Sequence, residues 1–200
     1  ISWTYSMGCR PVAARKRRAK VRGVSPDRSV IAVTGFATAY VEVQQLFDTV
    51  IPFGAHRCYW KSRYLSGLSD EAIETVAARN AAPPSPNSLS SIWNFGGATA
   101  AVPPDATAFG DRSMPWMVSF DGIWTDADDD DANIAWSRGS WEALSPYAAG
   151  DRIYQNFPGL GEDPALIRRS FGPTWDRLVE VKRRYDPDNV FRFNQNIAPG

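Results

Sequence analysis

The chain has 200 residues and a mass of 22.1 kDa, which fits one domain of ordinary size with a real core. Its 44% hydrophobic and 22% charged residues exclude a wholly disordered, collagen-like or coiled-coil chain, and no apolar run approaches the ~20 residues of a bilayer span. With 22 basic and 22 acidic residues the formal net charge is zero, which excludes a strong overall field for steering nucleic acid or acidic substrates.

In chain order, residues 1–28 come first. They carry Arg10, Arg15, Lys16, Arg17, Arg18, Lys20, Arg22 and Arg28 against one acid, Asp27, and are read as a basic, disordered arm. Such an arm suits nucleic acid or an anionic surface, but nothing downstream resembles a nucleic-acid module, so no nucleic-acid partner is expected. The first residue is Ile1 rather than Met, read as processing or as a piece of something longer; no signal-peptide pattern is present, and a cytoplasmic location is favoured. Ser29–Phe36 reads as a strand, and Val41–Leu46 as a strand end or helical turn. Ser69–Arg79 predicts a helix: Ser69 is a good N-cap, acids follow it, and Ile73 and Val76 share a face. Ala81–Asn87, with three prolines, is a loop, and Leu89–Phe95 a strand ending at Gly96-Gly97.

Trp116–Trp124 is the most informative strand. Trp116, Val118, Phe120 and Trp124 alternate onto one aromatic face that should pack on helices. Met117, Ser119, Asp121 and Ile123 form a mixed face of the kind that lines a cavity. The acids Asp126 and Asp128–Asp131 lack the spacing and glycine of a calcium loop, and suit the N-terminus of a helix over Asp131–Tyr147 with Ile134, Trp141 and Leu144 buried. Ile153–Phe157 reads as a short strand. Pro164–Phe171 and Pro173–Tyr185 read as helices, the second with Trp175, Leu178, Val179 and Tyr185 at helical spacing, before an extended tail. About five strands and four helices without a phosphate-binding glycine loop predict an α+β fold, an antiparallel sheet covered by helices on one face.

Titratable and aromatic residues narrow the chemistry. Two cysteines, Cys9 and Cys58, and one histidine, His56, are too few for a disulfide scaffold or a Cys- or His-rich metal centre, so no metal is expected. Eight Trp, seven Tyr and ten Phe suit the walls of a pocket for a flat ligand.

The string Lys182-Arg-Arg-Tyr-Asp-Pro-Asp-Asn-Val-Phe-Arg-Phe-Asn-Gln-Asn-Ile-Ala-Pro199 closely resembles the end of the berberine bridge enzyme-like, FAD-linked oxidases. In the right order stand Tyr59-Trp60-Lys61-Ser62 with Leu65 and the Ser69 helix, Gly96-Gly97-Ala98 with Val102–Phe109, and Tyr154-Gln155-Asn156-Phe157, so the resemblance runs from about residue 30 to the end. It implies a substrate-binding α+β domain over 29–150 and the family's C-terminal segment over 151–200, with the flavin domain lying outside this sequence. FAD is the implied cofactor. The implied partners are a small-molecule substrate and an FAD-binding domain, in cis or trans, and no membrane. The implied reaction is oxidation by hydride transfer to flavin, commonly with O2 as acceptor, and the chain alone is expected to be inactive and prone to association.

Tyr154 matches the family's active-site tyrosine and is the first candidate for base or substrate orienter; a lone strand tyrosine otherwise reads as core packing. Asn156, on the same face by strand alternation, is placed to support Tyr154 or the flavin ring. Ser119 falls where the family places a polar residue facing the flavin; a hydroxyl there hydrogen-bonds but is no base. Asp121, two residues on, reads equally as a carboxylate for the site and as a strand-end surface residue. Asp111 stands where many relatives carry a histidine. Asn194, Gln195 and Asn196 offer amides to a flavin or its domain, or cap the tail. His56 and Cys58 match no flavin-linkage motif and read as ordinary residues. Two rival readings stand beside this one: a non-catalytic binding module that pairs with a flavin protein in trans, and a nucleic-acid binder acting through residues 10–28.

Overall fold

The structure, a computed structural model, describes residues 51–110, 112–158 and 161–200 together with Gln45 and Asp48. The expected basic arm, the strand at 29–36, all of Val41–Leu46 but Gln45, and Asp111 lie outside the described residues.

Three strands form the sheet: β1 (Arg57–Leu65), β2 (Leu89–Asn94) and β3 (Trp116–Trp124), in the order β1-β3-β2. β3 pairs antiparallel with both neighbours, Ser119 opposite Ser62 on one side and Ser91 on the other. β1 and β2 therefore run parallel to each other with β3 inserted between them, and the helix α1 (Asp70–Asn80) makes the crossover that a parallel pair requires. Among the described residues the sheet has three strands. Ile153–Phe157 is not a strand; it is a turn closed by the Phe157 N–H on the Tyr154 carbonyl at 2.9 Å.

α1 starts where its cap dictates, with Ser69 Oγ accepting the Ala72 N–H at 3.3 Å. Its buried residues are Ala72 and Val76, one turn apart; Ile73 points outward. The aromatic face of β3 packs as the alternation requires. Val118 and Phe120 join Leu65, Val76 and Leu144 in the core, flanked by Trp116, Trp136 and Trp141.

The helix expected over 131–147 is a 3-10 turn (Ala127–Asp129), α2 (Asp130–Ala143) and a second 3-10 turn (Ser145–Tyr147). Leu144, just past the helix end, is buried in the core and Trp141 packs against it as expected, but within the helix the fully buried stripe is Asn133, Ser137 and Ser140 rather than Ile134. Small polar side chains let the helix approach the sheet closely. Ser137 Oγ donates to the Tyr59 carbonyl at 3.2 Å, and a Cβ on Gly122 would lie 3.0 Å from that hydroxyl. Trp141 Nε1 donates to the Ser62 carbonyl at 2.9 Å. Asp130, in the first turn, takes Arg57 at 2.5 and 2.6 Å and Trp124 Nε1 at 2.7 Å, so one acid of the run joins α2 to both strands.

α3 (Pro164–Phe171) is capped by Asp163, and a 3-10 turn (Gly172–Thr174) leads into α4 (Trp175–Tyr185). No residue of α4 is fully buried, and Tyr185, expected on its packed face, is exposed. Asp186 organises the tail by accepting the Val190 and Phe191 N–H groups at 2.7 and 3.1 Å and pairing with Lys182. Phe191 and Phe193 remain 81% and 82% exposed.

Candidate functional site

α1 and α2 cover one face of the sheet; the turn at Tyr154, joined to α3 through Ser170, lies at the other. Strand alternation and pairing put Trp60, Ser62, Tyr64, Ser91, Trp93, Met117, Ser119 and Asp121 on that second face. The turn is held at its backbone. The Tyr154 N–H donates to Ser62 Oγ at 3.1 Å, the Ile153 N–H donates to Ser170 Oγ at 3.0 Å, and Gln155 Nε2 reaches the Ser170 carbonyl at 2.7 Å. Gly110 is packed into this junction: a Cβ there would lie 2.0 Å from Gln155 Nε2 and 2.2 Å from the Ser170 carbonyl, so only glycine fits.

The Tyr154 ring is half-buried in an aromatic box, 5.5 Å from Phe95, 6.1 Å from Phe109 and 5.1 Å from Phe157. Phe157 in turn stands edge-on to Trp60 and Trp93 at 5.0 and 6.2 Å. Asn156 Nδ2 donates to Tyr154 Oη at 2.7 Å, so the two residues meet as expected, through the turn rather than through strand alternation. The phenol is neither enclosed by aliphatic neighbours nor sealed from solvent.

Ser119 and Asp121 form a second group beneath. Asp121 is 7% exposed and is no surface residue. Its Oδ2 accepts hydrogen bonds from Ser119 Oγ and Ser91 Oγ, each at 3.1 Å. Burial pushes its carboxyl up from 3.8 to about 6, against the two serine hydroxyls that hold it down. A carboxyl in that range exchanges a proton near neutrality. The two groups are joined through Ser62, which holds the Tyr154 backbone and lies opposite Ser119.

A raised carboxyl has a definite stability signature. The folded form binds its proton more tightly than the unfolded chain does. The contribution of Asp121 is therefore fully present below about pH 4 and is lost as the pH rises through about 6, by up to about 3 kcal/mol. Urea unfolding of the Asp121→Asn variant should lack this fall, so the wild-type minus variant difference should decline across that window and be level above it. A flat difference would mean an ordinary carboxyl.

Asn194 and Gln195 are not brought to Tyr154 by any hydrogen bond or ring contact among the described residues. Asn194 is exposed at φ 60°, and the tail around it is fastened to α4 by Lys182 on the Phe191 carbonyl and Arg183 on the Pro199 carbonyl. His56 is half-buried, and Cys58 is an exposed free thiol whose pKa is raised by partial burial and by Asp121.

Sequence reasoning missed Tyr64, Phe95, Ser62, Ser170 and Gly110. Each acts through contacts with a segment far along the chain; only the aromatic enrichment hinted at the box. A cavity of about 490 Å³ lies on the helix side and is lined by Tyr59, Lys61, Arg138, Trp141 and Glu162. Its charges are already partnered, Lys61 by Glu162 and Arg138 by the Tyr59 hydroxyl at 3.0 Å, whereas the Tyr154 face leaves polar atoms unused.

Residues 154–198 match the family described as Berberine and berberine like. The chain is 37% identical over 134 residues to the Uncharacterized FAD-linked oxidoreductase YgaK of Bacillus subtilis, covering 66% of this chain and 29% of the relative. It is 33% identical over 129 residues to Berberine bridge enzyme-like 17 of Arabidopsis thaliana, covering 56% of this chain and 24% of that protein. The solved structure of Physcomitrella patens BBE-like 1 variant D396N superposes with a TM-score of 0.61 at 24% identity, over 76% of this chain and 32% of that one. The chain thus spans about a quarter to a third of the curated relatives it matches, and the likeness to the solved structure shows the fold.

Proposed function

We propose, for a chain that resembles the berberine bridge enzyme-like FAD-linked oxidoreductases and carries their C-terminal segment, that it forms the substrate-side wall of an FAD-dependent oxidation site. The supporting observation is Tyr154: a phenol left accessible in an aromatic box, its oxygen held by Asn156 and its backbone by Ser62.

The residues present fit a flavin partner. The face around Tyr154 has aromatic walls and unused polar atoms, and the tail that follows α4 exposes Phe191, Phe193 and the amide of Asn194. Asn156, Asn194 and Gln195 are the residues that would contact the isoalloxazine or its domain. FAD, when bound, supplies the acceptor for a hydride and is regenerated by O2. This chain's own residues bind and deprotonate. The Phe95, Phe109 and Phe157 rings hold an organic substrate against Tyr154, whose Oη orients the substrate and, as the phenolate, takes up its proton to become the neutral phenol. Ser119 keeps Asp121 oriented beneath, and Asp121 serves as the buried proton reservoir of the site. The described residues of 29–150 and of 151–200 act together as one wall.

The same exposed tail supports pairing with a flavin domain in trans as well as in cis. The test is to join the chain to the part of the Bacillus subtilis relative that it does not match, and to load the assembly with FAD. The expected result is a yellow assembly whose flavin is bleached anaerobically by benzyl alcohol. An assembly that folds but retains no FAD would overturn the proposal.

A further inference from the structure

Tyr64 lies on β1, on the same sheet face as Ser62, and is 1% exposed. Its Oη is buried without a hydrogen-bond partner among the described residues. The ring stands 6.1 Å from Phe95, which stands 5.5 Å from Tyr154. Burial, and secondarily the neighbouring Tyr154, hold the Tyr64 phenol well above the ordinary tyrosine range, so it stays a neutral donor at any working pH.

Three other polar atoms on this face are also buried and unpartnered: Trp60 Nε1, Trp93 Nε1 and Asp121 Oδ1. The pairing register places Tyr64 and Trp93 on either side of Met117, and Trp60 opposite Asp121. An orphaned buried polar group is costly, because it has given up water without gaining a partner, and native interiors leave few of them. The sheet's other face leaves two such atoms, Arg63 Nε and Ser90 Oγ, with Ser140 Oγ on the helix above it, so orphans are most frequent on the Tyr154 face. The concentration of orphans on the one face that also carries the accessible phenol is what a ligand-binding layer looks like when its ligand supplies the missing partners.

We infer that Tyr64 is a substrate-positioning residue, its hydroxyl donating to the oxygen of a neutral, hydroxyl-bearing ligand held against the Tyr154 box, with Trp93 as a second donor. This rests on the reading of the Tyr154 face as a substrate site. Donors in excess on a face with one carboxyl favour a ligand that presents an oxygen acceptor; a hydrocarbon leaves all four atoms unpaired, and an anion would be repelled by Asp121 once ionised.

The test uses the full chain with two probes of nearly equal shape, benzyl alcohol and toluene, followed through the indole N–H signals of Trp60 and Trp93 by NMR. The expected result is that benzyl alcohol shifts both signals and binds about tenfold more tightly than toluene, the worth of one well-placed hydrogen bond. Tyr64→Phe should abolish that preference without lowering the melting temperature, because the hydroxyl it removes is unpartnered in the free chain. Trp93→Phe should reduce the preference partially. Equal affinity for the two probes, a preference unchanged in Tyr64→Phe, or a lower melting temperature in that variant would overturn the inference. Loss of benzyl alcohol binding on Tyr154→Phe alone would overturn the role of Tyr64 and leave the Tyr154 site standing. Failure of benzyl alcohol to bind the wild-type chain would overturn both.

Discussion

Tyr154→Phe, introduced into the chain joined to a flavin-binding partner, is expected to slow anaerobic flavin reduction by about 10²–10⁴-fold, the range for loss of one positioned proton-transfer group. The substitution removes a single oxygen. The ring keeps its contacts with Phe95, Phe109 and Phe157, and the backbone keeps its bond to Ser62, so the turn should stay in place. What is lost is the acceptor of Asn156 Nδ2 and, in the proposed function, the atom that would meet the substrate. Stopped-flow absorbance at the flavin band reads the rate, and an unchanged flavin spectrum certifies that the cofactor site is intact. A reduction rate equal to wild type would reassign Tyr154 to packing.

The second large effect concerns stability. Glu162→Gln should destabilise the chain by about 3–5 kcal/mol, because it leaves the Lys61 ammonium buried without its counter-charge. The side chains of Lys61 and Glu162 are only 9% and 10% exposed, so solvent screens the pair little. Lys61 also lies 4.2 Å from the centre of the Trp141 ring, and this cation–π contact retains part of its compensation, which favours the lower end of the range. The double substitution Lys61→Met with Glu162→Leu removes both charges and should recover most of the loss. Urea unfolding of the wild type, the single and the double variants measures this directly, and a single variant as stable as the wild type would show that the pair contributes nothing. The ion pair also ties β1 to the segment between the Tyr154 turn and α3, so the same variant should loosen the site from behind.

Several features were legible in the residues themselves because the interactions that fix them close within a few positions. Ser69 caps α1 through the amide three residues on, and period-two alternation from Trp116 to Trp124 needs only a pleated backbone to sort the aromatic face from the mixed one. The string ending at Pro199 carried the family, and the pairing of Tyr154 with Asn156 needed only proximity along the chain.

Tertiary structure decided everything that depends on which distant segment arrives. The strand order β1-β3-β2 could not be read from β1, α1 and β2 alone, since the strand between them comes later in the chain. Asp121 reads in the sequence equally as a surface residue and as a site carboxylate; only the fold shows that it is buried and that burial raises its carboxyl. The polar stripe Asn133, Ser137 and Ser140 is buried because Gly122 lets α2 sit close on the sheet, where hydrophobic periodicity pointed to Ile134 instead. Lys61 and Glu162 meet across 101 positions, and the orphaned hydroxyl of Tyr64 is visible only once the strand is buried in the fold. A cap or an alternation is a property of neighbours on the chain; burial, and the chemistry burial creates, is set by partners that only the folded topology brings together.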